Sequence, residues 1–474
     1  MPTSFPKKGR PKEDVLRELR SFQKDDANWQ QGRCFAYVYQ ARDELNELVR
    51  EAYQTYAKAN AVNPGAFPGI KRMERKIIEM AAELFHLPAQ DPAKAGTFTS
   101  GGSESILLAV LAARERFRQK HPGKRGEIIL SATAHPTFHK AAHYFDLKVV
   151  QTPVNSAFQT SPEAVQAQIT ENTALIVASA PSFPQGIIDP IEELGQIALQ
   201  HDIPMHVDAC VGGFILPFLK RGGVELPDFD FSVPGVTSLS ADLHKYGYAA
   251  KGASLVLFRD SLMRRNSFFT FTSWTGGLYG STHITGSRSG GPTAAAWALL
   301  QHLGMEGYTR LAMQAYTACR QMLQGIAQFP DIQILGKPQA TLFALSSDSL
   351  NVYELADELS LQGWYIDRQQ SPPGLHFNIT AAHETIVEPF LQDLAKAIEK
   401  AKKRSGGFRQ KWPARLVNGL QRFLPEALFS KLRHGLASRL SVPKSGSRSA
   451  PLYGMTESLK ETGQLDELIK DLLE

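Results

Sequence analysis

A lysine that directly follows a histidine, in a polar turn between two apolar runs, has the setting of a buried amine nucleophile, and Ser238–Lys251 offers one in Lys245. An amine attacks a carbonyl only after losing its proton, so desolvation or a neighbouring cation has to lower its pKa. His244 and Lys251 are such neighbours in sequence. Two further stretches give the lysine a context. Pro204–Gly213 is an apolar, strand-like run that carries Asp208 at its end, where side chains of an open α/β sheet face a ligand crevice. An aspartate in that place can keep a pyridine nitrogen protonated, which is what makes pyridoxal 5'-phosphate (PLP) an electron sink. Gly96–Ser105 leads into an apolar helical pattern. Free amides at a helix N-terminus, with glycines that permit close approach, make a phosphate cradle. The stretch lacks the lysine of a nucleotide P-loop, so ATP fits it less well.

Elements of a particular kind must hold these residues. Between about 70 and 260, helix-like stretches at 71–85, 104–120, 161–169 and 191–202 alternate with short apolar runs at Glu127–Ser131, Thr173–Ala178, Met205–Ala209 and Ala253–Phe258. Such alternation predicts an α/β fold with a mainly parallel sheet covered on both faces. A glycine- and serine-rich stretch, Gly276–Gly291, reads as a flexible loop before a long helix over Thr293–Gln324. A second α/β unit follows, with strands at Ile332–Leu335, Leu342–Leu345, Trp364–Ile366 and Leu375–Ile379 and helices at Val352–Leu361 and from about Glu384 to Lys403. The 474 residues thus divide into a helical arm (1–69), a large cofactor-binding domain (70–325), a small C-terminal domain (326–404) and a basic amphipathic segment with a tail (405–474).

Composition narrows the classes further. Three scattered cysteines, Cys34, Cys210 and Cys319, give neither a disulfide framework nor a CxxC pattern, so a reducing cytoplasm is the expected setting. No apolar run approaches the ~20 residues of a membrane span, and Met1–Arg20 is too charged for a signal peptide. His135, His139, His206 and Asp208 lack the HExxH spacing of a zinc site, and no metal is expected. The net charge of +5 is local: Lys402–Leu440 holds ten Lys/Arg against Glu426 alone, leaving the rest of the chain near −4. No nucleic-acid partner is expected. Leucines recur at helical spacing among those cations over 408–440, so this segment could lie on an anionic bilayer as a peripheral contact, or its leucines could pack on the catalytic body.

Taken together, Thr99–Ser105, His206–Gly213, Gly235–Gly252, Gly363–Asp367 and Tyr453–Met455 resemble the PLP-dependent decarboxylase group of the aspartate aminotransferase-like superfamily, and within it the sphingosine-1-phosphate lyases. The resemblance implies the fold type I architecture of PLP-dependent transferases. It implies that Lys245 carries the cofactor, Asp208 protonates the ring nitrogen, His135 stacks on the ring, and Ser100, Gly101, Gly102, Ser103 and His244 hold the phosphate. Tyr39 and Lys251 are implied in substrate binding and proton transfer. Asn63 stands where the family usually has a histidine that helps hold the substrate phosphate; asparagine can donate a hydrogen bond there but brings no charge. Gly276–Gly291 matches a loop that approaches the cofactor phosphate of the neighbouring subunit, with Tyr279 and Ser281 as its contacts, so a homodimer sharing its sites is expected. The family's eukaryotic members carry a membrane anchor ahead of the catalytic domain, and none is expected here.

The implied reaction is retro-aldol cleavage of the C2–C3 bond of a phosphorylated long-chain amino alcohol, giving a fatty aldehyde and phosphoethanolamine. Amino-acid decarboxylation is the alternative on the same scaffold. It requires a cation for the α-carboxylate, which Gly374–Thr380 lacks and which Arg368 alone lies near enough to supply. A catalytically silent protein of this fold, binding a membrane or partner through 408–440, is a third reading, against which the joint presence of Lys245, Asp208 and His135 speaks.

Overall fold

A computed structural model describes residues 4–41, 43–405, 446, 448–450, 453, 466 and 469–470 of the chain. The basic stretch 408–440 lies outside the described residues. No helix among those described is long and apolar enough to cross a membrane.

Seven strands form the main sheet: β1 (Gly96–Thr99), β2 (Glu127–Ser131), β3 (Lys148–Thr152), β4 (Thr173–Ser179), β5 (Met205–Asp208), β6 (Val236–Ala241) and β7 (Ser254–Phe258), in the order β1-β7-β6-β5-β4-β2-β3. Pairs β2/β3, β2/β4, β4/β5 and β5/β6 are parallel, while β7 runs antiparallel to both β6 and β1. β2, β4 and β7 are buried along their whole length, which is why each reads as an unbroken apolar run. A leucine such as Leu239 of β6 is fully buried, and its truncation to alanine would cost about 2–5 kcal/mol. The sheet is therefore a stiff platform for whatever its strand ends carry.

The architecture is the expected α/β one, and the structure adds strands that hydropathy hides. β6 contains Thr237, Ser238 and Ser240, polar residues that suggest a turn. Their hydroxyls are all used: Thr237 donates to the Met205 carbonyl at 2.9 Å, and Ser238 and Ser240 contact the two ring nitrogens of His206 at 2.9 and 3.2 Å. A polar strand stays buried when its groups are satisfied in this way. β1 opens the glycine-rich stretch that reads as loop, and pairs with β7 across more than 150 residues, a partner no local pattern reveals. Within Gly276–Gly291, β9 (Tyr279–Ser281) pairs antiparallel with β8 (Phe269–Phe271), so part of the expected loop is a hairpin. The long helix spans Gly291–Ile326 with a break at Gly304.

A second sheet has four strands, β10 (Gln333–Ile334), β11 (Leu342–Ser346), β12 (Asp367–Gln370) and β13 (Pro373–Asn378), in the order β10-β11-β13-β12. The chain divides into two compact units. One comprises Val38–Leu345 with His376–Val387 and contains the whole seven-stranded sheet. The other comprises Met1–Tyr37, Ser346–Leu375 and Glu388–Glu474. In it Phe35 stacks on Trp364 with ring centroids 5.6 Å apart and meets Phe390 edge-on at 5.0 Å, while Cys34 forms a bridge with Tyr365.

Candidate active site

Strands β1, β2, β4, β5 and β6 end on one rim, and the residues just beyond them enclose a cavity of ≈ 370 Å³. This is where an open α/β sheet binds its ligands. The Ser100–Ser103 turn follows β1, His135 follows β2, Asp208 ends β5, and His244 with Lys245 follows β6; all of them line this cavity.

Lys245 is not the free amine expected from its neighbours. Its ammonium lies 2.9 Å from Oδ2 of Asp242, a buried carboxylate three residues before it in the same turn. Burial lowers the lysine's pKa, but Asp242, Tyr39, Cys210 and Asp208 outweigh that and raise it overall. A nearby opposite charge favours the charged form more than desolvation disfavours it. The lowered lysine is instead Lys251. Its ammonium sits 3.2 Å from the His244 carbonyl and 5.2 Å from the centre of the Tyr39 ring, and desolvation there, with repulsion from Lys245, pulls it down to about 8.

Tyr39 belongs to the same neighbourhood. Its ring meets Tyr246 edge-on at 5.0 Å, and burial pushes its hydroxyl up to about 12, against a downward pull from Lys245. The Tyr246 hydroxyl is anchored in turn, 2.6 Å from Asn378 Oδ1 and accepting from Thr341 at 2.6 Å.

Burial holds the two imidazoles of the site neutral. His135 Nδ1 accepts from the Thr137 amide at 3.2 Å, so the neutral ring carries its proton on Nε2, and burial lowers its pKa. His244 Nδ1 accepts from the Ala253 amide at 3.3 Å, and burial brings it down to about 4. Asp208 Oδ1 accepts from the Cys210 amide at 3.0 Å and the Ser240 hydroxyl at 3.3 Å. Ser240 also contacts His206, which burial lowers to about 4. With both ring nitrogens engaged by serines, His206 is part of the support for Asp208 and not a ligand group.

The cradle is built from the start of the helix Gly102–Lys120. Ser100 does not offer its donors to it: both its amide and its hydroxyl donate to Glu104 Oε2 at 2.7 Å. The amides of Gly102 and Ser103 lie in the first helical turn and have no intrahelical acceptor. A Cβ at Gly102 would sit 2.8 Å from Cys210 Sγ and 2.9 Å from both Asp242 oxygens. The backbone approaches its surroundings that closely only as glycine. Gly102→Ala is expected to weaken cofactor binding about 5- to 150-fold, the effect of about 1–3 kcal/mol of overpacking; an absorbance titration with PLP reads it, and an unchanged dissociation constant would show that the cradle lies elsewhere.

Sequence reasoning passed over Asp242 and Glu104. Asp242 lies three residues before Lys245, a spacing that puts both side chains on one face of a turn, and that was the available signal. Glu104 had a weaker one, as an acid in the first turn of a helix. Its Oε1 accepts from the Ile284 amide at 2.9 Å, so it ties the cradle to the glycine- and serine-rich stretch. Burial would raise its pKa, but the Ser100 donors, His283 and the Ile284 amide hold it below the usual range.

Five expected residues do not line the cavity: Tyr39 and Lys251, whose contacts are given above, and three more. Ser281 and Tyr279, on β9, line a separate hollow of ≈ 270 Å³, and the Ser281 hydroxyl donates to the His283 carbonyl at 2.9 Å. Asn63 uses its Oδ1 locally, accepting from the Gly65 and Ala66 amides at 2.9 and 3.2 Å.

A lysine, an aspartate at a strand end, a neutral imidazole and free helix-terminal amides around one cavity fit PLP, whose aldehyde, ring nitrogen, ring face and phosphate each find a counterpart. The family model for the pyridoxal-dependent decarboxylase conserved domain matches residues 1–346. The sphingosine-1-phosphate lyase of Oryza sativa subsp. japonica is 36% identical over 465 residues, covering 97% of this chain and 79% of that protein. The sphingosine-1-phosphate lyase of Arabidopsis thaliana is 40% identical over 400 residues, covering 83% of this chain and 73% of that protein. Among solved structures, a sphingosine-1-phosphate lyase of Burkholderia pseudomallei superposes with a TM-score of 0.81 at 38% identity, over 90% of this chain and 98% of the other.

Proposed function

Because the chain belongs to the pyridoxal-dependent decarboxylase family, and within it to the sphingosine-1-phosphate lyases, we propose that it cleaves the C2–C3 bond of a phosphorylated long-chain base to a fatty aldehyde and phosphoethanolamine. The observation that carries this is the gathering of Lys245, Asp208, His135 and the Gly102–Ser103 amides around one cavity at the rim of the sheet. When bound there, PLP supplies a protonated pyridine that takes up the electron pair released at C2.

The chain's own residues do the rest. Asp208, fixed by the Cys210 amide and Ser240, holds a proton at the ring nitrogen. His135 would cover the ring face, and Gly102, Ser103 and His244 would hold the phosphate. Lys251, at about 8, takes the proton from the substrate's 3-hydroxyl as that oxygen becomes the aldehyde carbonyl. Tyr39, its ring against the Lys251 ammonium, positions that base. A base must be unprotonated, so kcat/KM is expected to fall as pH drops below about 8. Lys251→Met should remove that limb and lower kcat/KM by about 10²–10⁴-fold; a pH profile unchanged in the variant would assign the base to another residue.

Amino-acid decarboxylation needs a free cation for the α-carboxylate, and Arg368 does not provide it. Its guanidinium is 2.9 Å from Asp357, with side chains 8% and 3% exposed, and 5.6 Å from the Tyr453 ring. We assign the chain to a homodimer as well. The β8–β9 hairpin exposes Phe269, Trp274 and Leu278 at 60, 53 and 86%, an apolar surface of the kind that marks an interface.

The test is incubation with PLP and a phosphorylated long-chain base, with the fatty aldehyde detected by mass spectrometry. Aldehyde from the wild type and none from Lys245→Ala is the expected result. Protein that binds PLP and forms no aldehyde would move the search to amino-acid substrates.

A further inference from the structure

Asp242 has none of the roles given above, yet among the described residues it is the one carboxylate at ion-pair distance from Lys245. Its side chain is 2% exposed. Oδ2 meets the Lys245 ammonium at 2.9 Å and stands 3.6 Å from His244 Nε2. Oδ1 is buried and has no hydrogen-bond partner. Both oxygens reach to 2.9 Å of where a Gly102 Cβ would be, so the carboxylate lies between the lysine and the cradle. We propose that Asp242 is a positioning residue, the counter-ion on which the Lys245 ammonium docks whenever that nitrogen is not bonded to the cofactor.

The proposal rests on the cofactor reading above and deepens it. When the substrate's amine takes the lysine's place at the cofactor's aldehyde carbon, one C–N bond forms and the Lys245 C–N bond breaks. The protons lost by the incoming ammonium are those with which Lys245 leaves as an ammonium, so the exchange balances without another reactant. The released cation appears beside groups of mixed sign. Asp208 and Cys210 face it from the end of β5, His135 from the segment after β2, Tyr39 from the N-terminal segment, and His244 and Lys251 from its own turn. Lys251 repels it, and both histidines are held neutral by burial. Asp242 gives it an anionic resting place within the cavity, from which it can return to the same carbon.

A fixed anion at this point also favours the protonated form of the Lys245 nitrogen when it is bonded to the cofactor. The test is a pH titration of the absorbance of the PLP-loaded protein, which needs no substrate. In Asp242→Asn the midpoint is expected to fall by about one unit or more. Asp242→Ala should show the same fall, and added formate, which fits the space of the missing carboxylate, should return the midpoint toward the wild-type value. A purely structural role would not respond to formate. A wild-type band whose midpoint stays put in both variants overturns the proposal alone. Wild-type protein that acquires no band with PLP overturns the cofactor reading and the proposal with it.

Discussion

Lys245→Ala is expected to lower kcat/KM for aldehyde formation by about 10⁴-fold or more, the scale on which a residue acting as nucleophile and proton carrier is missed. The variant should still bind PLP, because the amides of Gly102 and Ser103, His135 and Asp208 remain around the cavity. Borohydride treatment followed by denaturation separates the two effects: the wild type keeps the pyridoxyl group covalently, and the variant releases it. Stability should change too. Asp242 is buried, and a buried ion pair that loses one partner costs about 3–5 kcal/mol. The double variant Lys245→Ala/Asp242→Asn is therefore expected to unfold at a higher temperature than Lys245→Ala while remaining inactive. Aldehyde formation within tenfold of wild type by Lys245→Ala would remove this lysine from the chemistry.

Asp208→Asn should lower kcat by roughly 10- to 10³-fold at saturating PLP. A carboxylate close to a protonated ring nitrogen supports it by about 1–3 pKa units, and each unit lost is a factor of ten in the protonated fraction. The amide is isosteric and its oxygen can keep accepting from the Cys210 amide and Ser240, so the fold should be undisturbed. Steady-state kinetics with a PLP dissociation constant measured alongside would distinguish weaker binding from weaker chemistry. A kcat within twofold of wild type would mean that the ring nitrogen gets its proton elsewhere.

The residues that bear the chemistry were readable because each sits in a short stretch whose composition is unusual: His244-Lys245 in a polar turn, Asp208 closing an apolar run, Gly101-Gly102 ahead of a helix. Such signals are local, and strand ends and helix starts are local features. What could not be read is set by which partners the side chains find once the chain is folded, whether those partners are near or far in sequence. The sign of the Lys245 shift depends on where Asp242, Asp208 and Tyr39 stand relative to it, and sequence proximity pointed instead to the cations His244 and Lys251. Ser100 reads as a phosphate donor from its place in the stretch, whereas Glu104 accepts from both its amide and its hydroxyl. Arg368 reads as an available cation, whereas Asp357, eleven residues earlier, holds it. β6 reads as a polar turn because the partners that satisfy its hydroxyls, His206 and Met205, lie on a different strand.

The pairing of β1 with β7 has a consequence for how the protein is made. β1 lies at the edge of the sheet with β7 as its neighbour, and Thr99 faces Ser254, so the strand waits for more than 150 residues before its partner exists. At roughly 5–20 residues per second on the ribosome, that wait is about 8–30 s. Throughout it, the segment that becomes the cradle is an unsatisfied strand edge, open to any passing chain. Lys245 emerges from the ribosome only nine residues ahead of Ser254. The strand that carries the cradle finds its partner almost as the amine emerges, so both halves of the site are completed by the same late event in synthesis.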